Sequence, residues 1–359
     1  SPPASWQSLT YPSHMRAIVY DAVGAPWRRA EVADPTPPDD GVIVRVEAAG
    51  LCRSDWHAWH GHDNVSEFPH VPGHEFAGTV VEVGPDVTRW RIGDRVAVPF
   101  VCACGRCLVC ESGNHQVCPH QWQPGFDGWG GFAEYVALPA ADVNLVKLPP
   151  DISFEIAASL GCRVATAYRA VVTIGRISTG EEVVVHGAGG VGLAAVMLAR
   201  ALGARVVVVD PSPAAREAAL QLGAATALEP SPGLVDTVRD ATSGGPHLSI
   251  EAIGDAAACR ASIESLRPRG RHVQVGLLPA GTATDPVPMH RVVSRELEVL
   301  GSHGLAAHDY PELLALVSSG RLRPDLLIGR TIDLDDVPEA FALIGTPDQP
   351  PGMTLIRPR

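Results

Sequence analysis

The sequence predicts an α/β protein in two parts, a doubly wound parallel sheet inserted into a β-rich domain. Three observations carry that expectation. A chain of 359 residues exceeds the length at which a single hydrophobic core stops growing. From Met15 to about Val146, short Val-rich runs are separated by Gly, Pro and Asp turns, whereas from about Ile156 apolar helical stretches alternate with compact apolar strands. Inside that second region, VVVHGAGGVGLAAVMLARALGARVVVVD reads as strand, glycine turn, helix and second strand.

Taken in order, residues 1–14 are polar and Pro-rich and read as a tag or extension ahead of a native start at Met15. RAIVY, VIVRVEA, FAGTVVEVG, DRVAVPF and AEYVAL follow as strands, which makes 15–160 a β domain. EIAASLGCRVATAYRAVV is a helix with Cys162 opening it at the domain junction. VVVHG, RVVVVD and RHVQVGL are strands without polar alternation, as expected of a parallel sheet covered on both faces. LEVLGSH supplies the last strand of the nucleotide domain, 161–302, and PELLALVSSG is a helix stopping at Gly320. From Thr331 the short-strand style returns, so 303–359 is expected to complete the β domain.

Composition narrows the partners. Forty acidic against 28 basic residues give a formal charge of −12 with no dense basic run, which argues against nucleic acid. No stretch of 18 apolar residues suggests a membrane span, and no basic region followed by an apolar core suggests a secretory signal. Eight cysteines in this length suit a reducing cytoplasm, and small molecules are the expected partners.

Two motifs carry chemistry. Cys104, Cys107, Cys110 and Cys118 stand two, two and seven residues apart, a spacing that brings four thiolates to one tetrahedral zinc. Paired disulfides are the alternative, but two-residue gaps strain such bridges. A zinc held by four cysteines has no open position, so it anchors a loop and the reacting centre lies elsewhere. The second motif is Gly187, Gly189 and Gly192, with Gly190 and Val191 completing the turn. Its glycines allow a tight turn, close approach of backbone to a pyrophosphate, and close packing of helix on strand. Asp210, at the end of the next strand and 23 residues after Gly187, is placed to accept from ribose hydroxyls and to repel a 2′-phosphate, which favours NAD over NADP. Its alternative role is to cap the following helix. Arg216, six residues on, is the nearest cation.

Cys52 and His74 lie at strand ends, in AAGLCRSDWH and PGHEFAG. Together with GDRVAVPF, the four-cysteine run, SLGCRVATAY and HGAGGVGL, these segments resemble, in the same order, the zinc-dependent alcohol dehydrogenases of the medium-chain dehydrogenase/reductase superfamily. The resemblance covers almost the whole chain from Met15. It implies a GroES-like catalytic domain, a Rossmann domain and a cleft between them. It further implies that Cys52, His74 and Cys162 hold a catalytic zinc with one position left open, making two zincs per chain. Glu75 resembles the acid beside that metal and Asp55 the carboxylate that orients the histidine. Ser54 and His57 resemble a proton relay, Arg53 a pyrophosphate contact, and Thr166 a residue packed near the nicotinamide. The implied reaction is reversible hydride transfer between a primary or secondary alcohol and NAD. An aldehyde reductase or a non-catalytic cofactor-binding sensor are the competing readings. Cys162 stands where polyol and threonine dehydrogenases tend to carry a carboxylate, which disfavours those substrates. Trp56, Trp59, Trp122 and Trp129 are expected in loops around the cleft, either lining a roomy apolar pocket or serving as domain-packing residues. A homotetramer or homodimer joined through the LEVLGSH edge is implied as well.

Overall fold

The computed structural model describes residues 14–278, 286–346 and 348–358. The expected 1–14 extension falls outside them except for His14, which is already paired. The first strand, β1 (His14–Val19), runs antiparallel to β2 (Arg28–Ala33) with His14 opposite Ala33.

The β domain is built on β3 (Val42–Leu51), β4 (Glu75–Val83), β5 (Arg95–Val98), β6 (Tyr135–Leu138) and β7 (Val146–Lys147). Strands β3, β4, β5 and β7 follow one another across one sheet, with β6 alongside β3. Antiparallel pairing of β3 with β4 sets Gly50 opposite Glu75. The residues just beyond those two, Cys52 and His74, therefore meet at one rim.

The second sheet is parallel throughout. It comprises β8 (Glu182–His186), β9 (Arg205–Val209), β10 (Thr226–Leu228), β11 (Leu248–Glu251), β12 (Arg271–Gln274) and β13 (Glu298–Gly301). Its order, β10-β9-β8-β11-β12-β13, is that of a doubly wound Rossmann sheet, in which the order of strand addition reverses between β8 and β11. Val183–Val185 and Val206–Val208 are fully buried, the reason these strands read as unbroken apolar runs. β13 forms one edge. The chain then returns as β14 (Ile328–Asp333) and β15 (Met353–Arg357), and β15 joins β3 with Leu355 opposite Gly50.

A single helical run, 154–174, joins the two sheets. It is α-helical at Phe154–Ser159 and Ala165–Tyr168, with π-helical turns at Leu160–Val164 and Arg169–Ile174. Cys162 thus lies within this run and does not open it, and the expected 160/161 boundary falls inside one continuous helix. The run packs against both β4 and the helix of the glycine turn, so one core extends from Ala48, Ala77 and Ala97 of the β domain to Ala194 and Val206 of the nucleotide domain. Small residues permit this closeness: a Cβ on Gly161 would sit 3.2 Å from the Glu75 backbone. Among the described residues, no helix is long and apolar enough to cross a membrane.

Candidate metal and dinucleotide site

Beyond β3 the chain enters α1 (Arg53–Trp59) with Cys52 as its extended N-cap. The Cys52 amide donates to Asp55 Oδ2 at 2.9 Å, the return half of a capping box. The other carboxylate oxygen, Oδ1, accepts from His74 Nδ1 at 3.0 Å, and both side chains are 1% exposed. One carboxylate therefore fixes the start of α1 and the orientation of the His74 ring, leaving Nε2 as the nitrogen available to a metal in place of a proton. That Nε2 is buried without a hydrogen-bond partner among the described residues. Ligand atoms of Cys52, His74, Glu75 and Cys162 all lie within 4.8 Å of one another. Two sulfurs, one imidazole nitrogen and a neighbouring acid fit an open zinc centre.

The electrostatics agree with a thiolate-bearing cluster. A hydrogen bond from Cys162, with His74 and Arg163 assisting against burial, holds the Cys52 thiol well below its ordinary value. The same hydrogen bond, with burial, holds Cys162 well above. Burial works against the charged ring of His74, yet Asp55 and Cys52 hold it well above the usual imidazole range. Glu75 is pushed up to about 8 by burial against the pull of Arg163.

Arg163 is the residue that sequence reasoning missed. It is 8% exposed and donates to Glu75 Oε1 from Nε at 3.2 Å and from Nη2 at 3.0 Å, and to the Leu51 carbonyl at 2.8 Å. Its other side faces the dinucleotide turn, where a Cβ on Gly190 would meet its Cδ at 3.1 Å. The available signal was a lone charge in the apolar helix SLGCRVATAY, beside a metal-ligand candidate.

The four-cysteine loop closes on itself. Sulfur separations run from 3.4 Å (Cys107 to Cys110) through 3.6 Å (Cys104 to Cys118) and 3.8 Å (Cys107 to Cys118) to 4.0 Å (Cys104 to Cys110). Zinc–sulfur bonds of about 2.3 Å in a tetrahedron require edges of about 3.8 Å. All four thiols are free, which disposes of the disulfide alternative. Amides of Cys104 and His120 donate to the Cys118 sulfur at 3.5 and 3.3 Å, and the Arg106 amide helps draw Cys104 down to about 6.

In the glycine turn each glycine has a distinct reason. Gly187 adopts φ +94°, Gly189 has open space around its Cβ position, and a Cβ on Gly192 would collide with the Gly187 carbonyl. The helix α2 (Gly190–Ala201) starts from Gly189 without a side-chain cap, so its first amides face outward for an anion, while Val191 packs on the core. Asp210 accepts from the Ala188 amide at 2.7 Å and the Ser212 amide at 2.8 Å. The cap of the next helix, α3 (Pro213–Gln221), is Ser212 and not Asp210.

Other expected contacts are placed as follows. Thr166 is buried on the helical run at 7% exposure. Ser54 Oγ lies 3.8 Å from the Cys52 sulfur, and half-buried His57 faces His62 through Nδ1 atoms 3.1 Å apart. Burial, Arg53 and His62 lower the His57 pKa. Arg53 is exposed above the Trp56 ring at 5.4 Å. Arg216 is occupied by the Asp210 and Pro211 carbonyls at 2.7 and 2.9 Å, with Glu229 3.6 Å away.

Of the two readings of the tryptophans, packing is the one that the core contacts bear out. Trp56 and Trp59 sit on α1 and not in a loop, and with Trp122 they pack on the β-domain core, while Trp129 packs against Met15 and Val71. The helical register directs Trp59 inward, where its Nε1 donates to the Ala25 carbonyl. A cleft of about 530 Å³ lies at the C-terminal ends of β12 and β13. Gln274, His303, Arg169 and Gln116 are among its walls.

A doubly wound sheet facing a buried thiolate–imidazole cluster defines a metal-dependent dehydrogenase that uses a dinucleotide. Residues 38–150 match the alcohol dehydrogenase GroES-like domain and residues 190–319 the zinc-binding dehydrogenase domain. An alcohol dehydrogenase of Geobacillus stearothermophilus is 35% identical over 325 residues, 90% of this chain and 95% of that one. The solved alcohol dehydrogenase TADH from Thermus sp. ATN1 superposes with a TM-score of 0.87 at 34% identity, covering 96% of this chain and 100% of that one. A zinc-binding dehydrogenase of Sinorhizobium meliloti 1021, solved bound to NADP, gives 0.85 at 31% identity, covering 97% and 100%. The chain belongs to the zinc-binding alcohol dehydrogenases of the medium-chain dehydrogenase/reductase superfamily and is an oxidoreductase.

Two outcomes follow from this geometry. Cys104→Ser should lower the melting temperature by about 5 °C or more, because a closed metal site contributes folding energy, with less effect on turnover of the protein that survives. Thermal unfolding alongside initial rates checks it. Arg163→Met should cost about 3 to 5 kcal/mol by leaving Glu75 buried without its cation, and adding Glu75→Gln should restore part of the loss. Denaturant unfolding of the two single variants and the double variant measures that coupling.

Proposed function

We propose that the protein is a reversible alcohol dehydrogenase that prefers NAD to NADP, interconverts primary or secondary alcohols with aldehydes or ketones, and holds two zincs per chain. The observation that carries the reading is the cluster of half-buried Cys52 with His74 and Cys162, linked through Arg163 to the dinucleotide turn. Cys52, His74 and Cys162 would hold the catalytic zinc, and Cys104, Cys107, Cys110 and Cys118 the structural one. Zinc in the first cluster supplies Lewis acidity toward the substrate oxygen, and the nicotinamide supplies the hydride acceptor.

The chain's own residues do the rest. Asp55 keeps the His74 imidazole in the ligating tautomer. Ser54 accepts the substrate hydroxyl proton at Oγ while giving up its own hydroxyl proton toward His57. His57, three residues on and on the same face of α1, releases a proton toward solvent, its Nδ1 directed at His62. The uncapped amides of α2, Arg53 and Thr166 position the cofactor, and Asp210 receives the adenosine ribose. The catalytic unit is a homotetramer or, less favoured, a homodimer joined at the β13 edge, and it works in the cytoplasm.

A panel of alcohols and aldehydes with NAD or NADH, read by absorbance on zinc-loaded protein whose metal content has been measured, tests the reading. Turnover with two zincs per chain is expected, and no turnover of any member would overturn it. Ser54→Ala should reduce alcohol oxidation by about 10² to 10⁴ while NADH fluorescence titration still reports binding. His57→Gln should fall less and recover with added buffer base.

Cofactor choice rests on Asp210. Beside a 2′-phosphate its carboxylate loses solvation and gains repulsion, a mismatch worth more than the ~1.4 kcal/mol of a tenfold preference. Wild-type protein should therefore show at least about tenfold higher kcat/KM with NAD than with NADP. Asp210→Ser should weaken NAD and improve NADP, most visibly at low salt where charges are least screened. Specificity constants for both cofactors at two ionic strengths decide the matter.

A further inference from the structure

The cleft at the ends of β12 and β13 adjoins the metal cluster through two ring contacts. His303 lies 5.3 Å from Phe100, and Phe100 lies 6.2 Å from His74. By the general rule for doubly wound sheets, ligands bind outside the carboxyl ends of the strands, so the nicotinamide end of a dinucleotide and a substrate reaching the metal would share this face. Its wall is polar at one end. Arg169, on the second π turn, has a side chain only 11% exposed, yet its guanidinium donates no hydrogen bond among the described residues. The nearest carboxylate, Asp309 Oδ2, stands at 3.7 Å, beyond hydrogen-bond reach, and that carboxylate also approaches His308 at 3.5 Å. Gln116 is 2% exposed, and its amide oxygen and the Ser302 hydroxyl are both buried without a partner among the described residues. Both residues line the same cleft as Arg169.

Buried polar groups that the protein itself leaves unmatched are costly unless something else completes them, and here these are the Gln116 amide oxygen and the Ser302 hydroxyl, beside a guanidinium that makes no hydrogen bond of its own among the described residues. The nicotinamide carboxamide is neutral and has no need of a full guanidinium, whereas the planar fork of arginine matches a carboxylate. One cation partly offset by Asp309 balances a monoanion better than a phosphate dianion. A primary amide turned end over end and a serine hydroxyl can each add a donor.

We propose that Arg169, with Gln116 and Ser302, forms a carboxylate subsite, so that the preferred substrates are alcohols or aldehydes bearing a carboxylate at the end remote from the reacting carbon. This rests on the dehydrogenase reading given above. It replaces the apolar pocket that the tryptophan content suggests.

The test compares ω-hydroxycarboxylates of four to six carbons with unbranched alkanols of the same lengths, using zinc-loaded protein and NAD. Wild-type kcat/KM should favour the hydroxy acid by about tenfold or more, expressed mainly in KM. Arg169→Gln should lower the hydroxy acid to alkanol ratio by about 30-fold, and Arg169→Lys should recover part of it. Because losing a buried cation can unsettle the fold, Gln116→Glu serves as a second variant. It keeps Arg169 but adds an opposing charge, and the ratio should fall in the same direction. Competition by hexanoate, followed through quenching of bound NADH, reads the subsite without turnover and should weaken in both Gln variants. A wild-type preference for alkanols, or equal loss of both substrate types in Arg169→Gln, would overturn the carboxylate subsite while leaving the dehydrogenase intact. Failure to turn over either type would sink the dehydrogenase reading and this proposal with it.

Discussion

An arginine placed in an apolar interior carries a large desolvation cost, and Arg163 is tolerated because Glu75 and the Leu51 carbonyl surround its guanidinium. Both acceptors belong to the rim where β3 ends and β4 begins. Holding them fixes the positions of Cys52 and His74, which flank the same two strand ends. The far side of the same residue abuts the dinucleotide turn at Gly190. The metal cluster and the cofactor turn are thus registered by one side chain and not by two independently placed domains. For the contact to form, the helical run must approach β4 closely, which Gly161 and the small residues Ala48 and Ala77 permit. The π turn at Leu160–Val164 widens the helix where neighbours Cys162 and Arg163 both reach the rim.

Much of the fold was legible because its signals are local. Val-rich strands bounded by turn residues, and the strand–glycine–helix–strand stretch, can be read without knowing what packs against them. Two strands of the parallel sheet escaped notice: Thr226–Leu228 is only three residues long, and Leu248–Glu251 mixes Ser and Glu with its apolar residues. Their backbones are ordered by neighbours already in the sheet, a tertiary effect absent from the local pattern. The expectation that Cys162 opens a helix failed for a similar reason, because Gly161 before it provides clearance against Glu75 inside a continuous one.

The candidate site divides along the same line. Four cysteines within fifteen residues close on one another by chain connectivity, so spacing sufficed. Asp55 follows Cys52 by three positions, and its capping geometry is local, although its bond to His74 is not. Arg163 pairs with a residue 88 positions away, and Arg169 faces a wall assembled from the cysteine loop and two strand ends. Their roles depend on which charges remain buried after folding. Composition shows that tryptophans are present but not which way α1 turns them, and that direction decides the character of the cleft.

Asp210 already has a structural role, to which the proposed function adds a ligand role. Its two oxygens already accept from the Ala188 and Ser212 amides, one on the glycine turn and the other at the start of α3. Each carboxylate oxygen has a second acceptor direction, so the group is held on both sides while keeping capacity for ribose hydroxyls. A freely rotating side chain would lose rotamer entropy on meeting the cofactor; this one is held in place before binding. The same anchoring prevents it from swinging away from a 2′-phosphate. Arg216 cannot easily relieve that repulsion, because its guanidinium is engaged by the Asp210 and Pro211 carbonyls. The proposed preference for NAD thus rests on the anchoring of the Asp210 carboxylate as much as on the sign of its charge.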